Sequence, residues 1–306
     1  MTGYTALREG AAILDLTGRG KIRAHGEDRA RLLHAMTTNH VQQLKPGDGC
    51  YAFFLSAQGR ILADVNIMAL EDHLLLDTEP ETRQVVFDHL DKFIIADDVT
   101  LEDATDSLAT IGLEGPLAGQ MLAGLGAVLP ESDGGTAAWG GRTVAKLNAT
   151  GQPGYWIFAA DKDALAAELR GAGAVDATAG EARVVRLENG KPRYGEDITD
   201  TYLPAETRQM RALHFSKGCY LGQEIVERVR SRGLVHRLLH SLEIDARAVP
   251  PGGVAIMDGD KKIGTVTSAA FSPARSKVVA MGYVRAEHLT AALSVDGLPA
   301  KVVQDR

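Results

Sequence analysis

Lys217-Gly218-Cys219-Tyr220-Leu221-Gly222-Gln223-Glu224 runs directly into Ile225-Val226-Glu227-Arg228-Val229-Arg230. Glu224 and Arg228 are four apart in the order that favours a helix-face ion pair, and Ile225 and Val229 share an apolar side. The spacing predicts a helix that begins near Leu221 or Gly222. Cys219 then sits just ahead of a helix N-terminus and two residues from the Lys217 ammonium. Both features favour thiolate over thiol, so a lowered pKa is expected. The plainer alternative is a small buried hydrophobe, the usual state of a free cysteine. No histidine is fixed beside it by spacing; His214 is near only along the chain.

Working outward, Arg186-Leu187-Glu188-Asn189-Gly190 precedes this stretch, and His236 to Ile244 follows it as an alternating strand pattern. Beyond Pro250-Pro251-Gly252-Gly253 come short strands such as Lys262 to Ala269 and Val278 to Val284, a small all-β tail. Upstream the pattern is mixed. Lys21 to His25 reads as a strand and Asp28 to Met36 as a helix. Lys45-Pro46-Gly47-Asp48-Gly49 is a turn, after which Cys50 to Leu55 and Ile61 to Leu70 form a hairpin joined at Ala57-Gln58-Gly59. Glu79 to Phe93, Pro116 to Leu125 and Lys162 to Gly171 read as helices, with strands at Leu108 to Leu113, Thr143 to Leu147 and Tyr155 to Ala159. The chain is α+β for its first three-quarters and then β, with a boundary expected near residues 238 to 250.

The 306 residues are 45% hydrophobic and 24% charged, the balance of a globular protein with room for two or three cores. A net charge of -7 gives no reason to expect a nucleic-acid coat or a polybasic membrane surface. The first residues lack the layout of a secretory signal and no apolar run approaches the ~20 residues of a membrane span, so cytoplasm is the expectation. Two cysteines, Cys50 and Cys219, cannot hold an iron–sulphur cluster alone, since one normally takes four protein ligands. His236 and His240 are spaced like helical zinc ligands, but they lead into a strand and lack a third ligand, so no metal site is expected.

The Lys217–Glu224 stretch resembles the Lys-Gly-Cys-Tyr-x-Gly-Gln-Glu signature of the YgfZ family, and Arg228 and Arg232-Gly233 fit the same pattern. That family is related to the glycine cleavage T-protein and is implicated in making or repairing iron–sulphur enzymes, including one that modifies tRNA. Three further segments are similar to the T-protein superfamily: Tyr4 to Ile22, Tyr51 to Asp64, and Arg186 to Gly190 followed by Tyr194-Gly195 and Asp197. The resemblance implies a T-protein-like (GcvT-like) multi-domain fold around a central folate pocket. Residues 1–240 would form the folate-binding region, as two α+β subdomains, and 241–306 a C-terminal β-barrel.

The implied cofactor is tetrahydrofolate or a one-carbon derivative. Tyr51 would contact the pterin ring, Asp64 would face the folate amines, and Arg186 would hydrogen-bond the ligand, with Glu188 and Trp156 also in the binding set. Cys219, with Lys217 beside it, would be the reactive thiolate on a loop turned toward the pocket; Gly218, Tyr220, Gly222, Gln223, Glu224 and Arg228 complete its motif. Thr150-Gly151-Gln152-Pro153-Gly154-Tyr155-Trp156 resembles a T-protein stretch whose two glutamates are here Gln152 and Trp156, and Ala63 replaces the first acid of an Asp-Asp pair. These departures weigh against aminomethyl transfer. The expectation is a folate-binding protein of iron–sulphur assembly or repair, partnered by iron–sulphur enzymes or assembly proteins. The alternative is a folate-dependent aminomethyl- or methyltransferase. The oligomeric state is not legible.

Overall fold

The computed structural model describes residues 1–233 and 235–303. Three units surround a central space. The first is a five-stranded antiparallel sheet in the order Gly49–Leu55, Ile61–Ala69, Leu74–Thr78, Gly20–His25, Thr100–Asp103. Helices Arg29–Met36 and Arg83–Asp91 cover one face. The second is a six-stranded sheet in the order Val175–Asp176, Ala12–Asp15, Ala109–Glu114, Gly154–Ala159, Arg142–Ala145, Thr136–Trp139, packed on helices Ala118–Gly124 and Lys162–Gly171. The third is a closed six-stranded barrel. Its closure comes from pairing of Arg237–Ile244 with Leu298–Val303, which leaves this sheet no open edge.

The two α+β units are interleaved. Ala12–Asp15 belongs to the second sheet, where it pairs antiparallel with Ala109–Glu114 and parallel with Val175–Asp176. The whole first sheet is therefore inserted between the first and second strands of the other. The barrel starts at Arg237, so the expected break at 241 falls inside its first strand. Leu242 and Ile244 of that strand are buried in the barrel core and alternate with Ser241 and Glu243, while Leu239 on the other face packs toward the α+β units.

The hairpin 49–69 carries the elements that matter most. Along Ile61–Ala69 the inward residues Ile61, Ala63, Val65 and Ile67 alternate with Leu62, Asp64 and Asn66 on the opposite face. Phe53 and Phe54 are fully buried on opposite sides of their strand, each contributing roughly 2 kcal/mol of burial. At its open end the hairpin touches the second unit backbone to backbone: a Cβ on Gly49 would lie 2.1 Å from the Gly134 carbonyl oxygen. Thr136 N–H also donates to the Gly47 carbonyl at 2.8 Å. Only glycine permits that approach.

The predicted helix 79–93 is shorter than its pattern: a 3-10 turn at Pro80–Thr82 precedes an α-helix at Arg83–Asp91. Helix Ala179–Glu188, capped by reciprocal Thr178 and Glu181 bonds, packs between helix Gly3–Glu9 and the barrel. It is the joint where all three units meet. No helix among the described residues is long and apolar enough to cross a membrane.

Candidate functional site

A cavity of about 1200 Å³ lies where the units meet. The first unit supplies Asn39, Cys50, Tyr51, Asp64, Asn66 and Glu79, and the second supplies Lys146 to Trp156. Arg183, Arg186, Lys191, Arg193 and Arg211 come from the segment leading to the barrel. Strand alternation explains Tyr51, Asp64 and Asn66. In the hairpin register Tyr51 faces Asn66 and Phe53 faces Asp64, so Tyr51 and Asp64 are diagonal neighbours on one face. The Tyr51 hydroxyl donates to Asp64 Oδ2 at 2.8 Å.

Asp64 Oδ1 is buried and has no hydrogen-bond partner among the described residues. Such an orphan is costly unless a ligand satisfies it. Burial, and then the neighbouring Glu79 charge, push the Asp64 carboxyl up to about 6, against the opposing pull of Arg19 and the Tyr51 bond. Glu79 moves the other way: burial would raise it, but Arg19 and Arg193 outweigh that and hold it below its usual range. Arg19 is the hub, forked onto Asp77 at 2.8 to 3.1 Å and bonded to Glu79. Its guanidinium also lies over the Trp156 ring, 4.7 Å from the centroid. Asn66 donates to Asp77 at 3.0 Å and extends the network along the hairpin. Arg211 stands over the Tyr51 ring at 4.6 Å, with no carboxylate partner among the described residues. Burial, then Arg211, lowers the Lys191 ammonium to about 8; it donates to Asn148 Oδ1 at 2.6 Å.

Tyr51, Asp64, Trp156 and Arg186 line this one cavity, but two of them are already engaged. Arg186 ends a helix rather than a strand, and its terminal nitrogens donate to Asp197, Glu196 and the Lys191 carbonyl. These three bonds hold the guanidinium against the protein and leave only Nε–H and one Nη2 hydrogen without a partner among the described residues. Trp156 is buried, with one face under Arg19 and its Nε1–H donated to Glu114 at 3.0 Å. Glu188 is outside the cavity wall. It accepts from Tyr4, Arg8 and Ser272, tying helix Gly3–Glu9 to the barrel, and it lines a second hollow of about 810 Å³ instead.

Glu114 went unread in the sequence. It is fully buried and accepts from the backbone amides of Ala149 and Thr150, the Thr150 hydroxyl and Trp156. One carboxylate thus moulds the loop that contains Gln152. Its signal was an acid ending an otherwise apolar strand. Arg19 was also visible, as a cation in the Asp15–Lys21 run, but nothing local tied it to Asp77 or Glu79.

The Cys219 segment has its helix where expected, at Gln223–Arg232, with Arg228 bonded to Glu224 at 2.5 Å. Gly222 is its N-cap, with φ of 83°, and a Cβ there would lie 2.6 Å from the Ser56 carbonyl oxygen. Leu221 N–H donates to the Ala35 carbonyl at 3.1 Å. The loop is therefore pinned between helix Arg29–Met36 and the closed turn of the hairpin, whereas Tyr51 is five residues, roughly 17 Å, back along the strand. Cys219 is exposed and is not part of the cavity wall, contrary to the expectation that its loop turns toward the pocket. Lys217 does not serve it as expected either. Its ammonium is buried against the His34 and Thr37 carbonyls and its ring neighbour is Tyr220 at 4.7 Å. Burial lowers Lys217 to about 8. Lys217 caps the carbonyl end of a helix. Of the motif, Gly218, Tyr220, Gly222, Gln223, Glu224 and Arg228 build this surface feature and none of them lines the cavity.

Two interleaved α+β units and a closed barrel around a central cavity lined by aromatic and charged side chains of both signs define a T-protein-like fold. The solved glycine cleavage system aminomethyltransferase T from Bartonella henselae superposes with a TM-score of 0.90 over 99% of this chain and 87% of that one, at 22% identity. Residues 2–217 match the GCVT N-terminal domain model and residues 237–304 the glycine cleavage T-protein C-terminal barrel domain. The aminomethyltransferase of Koribacter versatilis is 30% identical, covering 94% of this chain and 80% of its own length. That of Streptomyces coelicolor is 29% identical, covering 93% and 81%. The chain belongs to the glycine cleavage T-protein family.

Proposed function

We propose that this protein binds tetrahydrofolate, or a one-carbon derivative of it, in the central cavity and handles the one-carbon unit at Asp64. The observation that carries this reading is the buried, unpartnered Asp64 Oδ1 in the wall of a cavity of folate size. Bound tetrahydrofolate supplies the amine nitrogens on which a one-carbon unit is carried. Tyr51 holds Asp64 by Oδ2 and leaves Oδ1 for a ligand N–H. A carboxyl near 6 can accept a proton from an amine and return it at neutral pH. Arg211, at the same wall, suits a ligand carboxylate. The names of the relatives support folate-dependent one-carbon transfer as the reaction class.

A second reading rests on one feature, the exposed Cys219 in its YgfZ-type signature, outside the cavity. It gives the protein a role in iron–sulphur assembly or repair, with Cys219 as a thiolate toward a cluster shared with a partner. The two readings assign different residues and are separable. Calorimetric titration with tetrahydrofolate is expected to give saturable binding, weakened at least tenfold in Asp64→Ala and unchanged in Cys219→Ala. No binding to the wild type would sink the folate reading. The second reading requires that Cys219→Ala alone fail to restore iron–sulphur enzyme activity in cells deleted for their own YgfZ-type protein.

A further inference from the structure

At the end of the first sheet remote from the cavity, two histidines and a carboxylate converge. Strand Gly20–His25 starts beside Arg19 and ends, roughly 17 Å later, at His25. The register Ala24↔Leu74 sets His25 next to His73, the last residue of the tight turn Leu70-Glu71-Asp72-His73, which is closed by Leu70 N–H to the His73 carbonyl at 2.9 Å. The imidazole centroids are 5.1 Å apart. Asp72 Oδ1 lies 2.7 Å from His73 Nδ1, and one donor atom from each of His25, Asp72 and His73 falls within 4.8 Å of the other two. On the opposite flank Glu102 Oε2 is 3.6 Å from His25 Nε2, while its Oε1 accepts from Arg23 at 2.9 Å.

We propose that His25, His73 and Asp72 form a binding site for a divalent transition ion of the zinc class, with Glu102 or water as the fourth ligand. Two imidazoles and one or two carboxylates are a donor set for zinc, nickel or copper rather than magnesium or calcium. A tetrahedral shell with ~2.1 Å bonds places its ligand atoms about 3.4 Å apart, so donors within 4.8 Å of one another need to close by no more than about 1.4 Å. Rotation of the partly exposed His25 side chain and of the turn carboxylate supplies that. His73 is mostly covered, which fixes its ring, and Asp72 is mostly exposed, which leaves it free to swing. The ion would tie the Leu70–His73 turn to the neighbouring strands. The site is independent of the folate cavity and of Cys219.

The test is zinc titration of the full chain, freed of any affinity tag, by competition with a chromophoric chelator. One equivalent is expected to bind and to raise the melting temperature. His25→Ala and His73→Ala should each weaken binding at least tenfold and abolish the thermal shift, and His236→Ala, an exposed histidine elsewhere, should leave both unchanged. His73→Gln guards against loss of the turn, since its amide can replace the hydrogen bond to Asp72 but not the ligand. Absence of saturable binding at one equivalent, or binding that survives the His25→Ala/His73→Ala pair, overturns the proposal. Cobalt(II) in place of zinc should give no thiolate charge-transfer band; a strong one would assign the metal to Cys219 and equally refute the site.

Discussion

Asp64 shows how a single side chain carries both a function and its cost. Its carboxyl is raised to about 6 in the folded chain, against 3.8 for an ordinary aspartate. Below the lower value both states hold the proton and the group contributes nothing. Between the two values the unfolded chain ionises while the native carboxyl keeps its proton, so stability falls as pH climbs and the loss is complete above the upper value. Asp64→Asn is therefore expected to raise the urea midpoint at pH 7.5 and to leave it unchanged near pH 3.5, while abolishing the folate response. Equal effects at both pH values would mean that the gain comes from packing instead. Asp64 and Tyr51 were legible through the resemblance of the Tyr51 to Asp64 hairpin to the T-protein one, and the strand's period of two then sets both on one face. Arg186, Glu188 and Trp156 were legible as types only. Their partners, Asp197, Ser272 and Glu114, are settled by folding and leave no mark at local spacing.

Among elements, Lys217 joins two that sequence treats separately. Its ammonium satisfies the His34 and Thr37 carbonyls at the end of helix Arg29–Met36 and so anchors the loop that carries Cys219. Lys217→Met removes both bonds and leaves those carbonyls buried without a donor, which should cost about 2 kcal/mol in urea unfolding. Because the ammonium is committed to those carbonyls and Cys219 is exposed, iodoacetamide labelling of Cys219 in the folded variant should stay within about twofold of wild type. A tenfold drop would restore Lys217 to the role expected from its position in the motif. Most strands and helices could be found from hydrophobic period and turn residues. Their assignment to sheets could not, because Ala12–Asp15 reads like any four-residue apolar strand and its partners begin almost a hundred residues later.

The molecule as a whole is held together at Asp197. Its carboxylate accepts from Arg186, the Arg193 amide, Thr267 and Ser268, and its carbonyl accepts from the Tyr283 hydroxyl at 3.0 Å. One fully buried acid thus connects helix Ala179–Glu188 to two barrel strands. Removing it leaves the Arg186 guanidinium short of a counter-charge, at a cost of about 3–5 kcal/mol. Both tryptophans, Trp139 and Trp156, belong to the second sheet. In Asp197→Ala their fluorescence transition should separate from unfolding of the barrel followed by amide hydrogen exchange of its strands, whereas the wild type should show one transition in both. Coincident curves in the variant would mean that other contacts hold the barrel in place.

The interleaved sheets also impose a timetable on the nascent chain. Ala12-Ile13-Leu14 leaves the ribosome early, yet the strand it pairs with, Ala109–Glu114, follows about a hundred residues later, roughly 5 to 20 s at ordinary rates of translation. During that interval the first sheet can close on itself while the apolar strand ahead of it waits unpaired, open to any other free edge in reach. Slowing elongation between residues 20 and 109 would lengthen that exposure, and a chaperone that holds the front end would shorten its consequences.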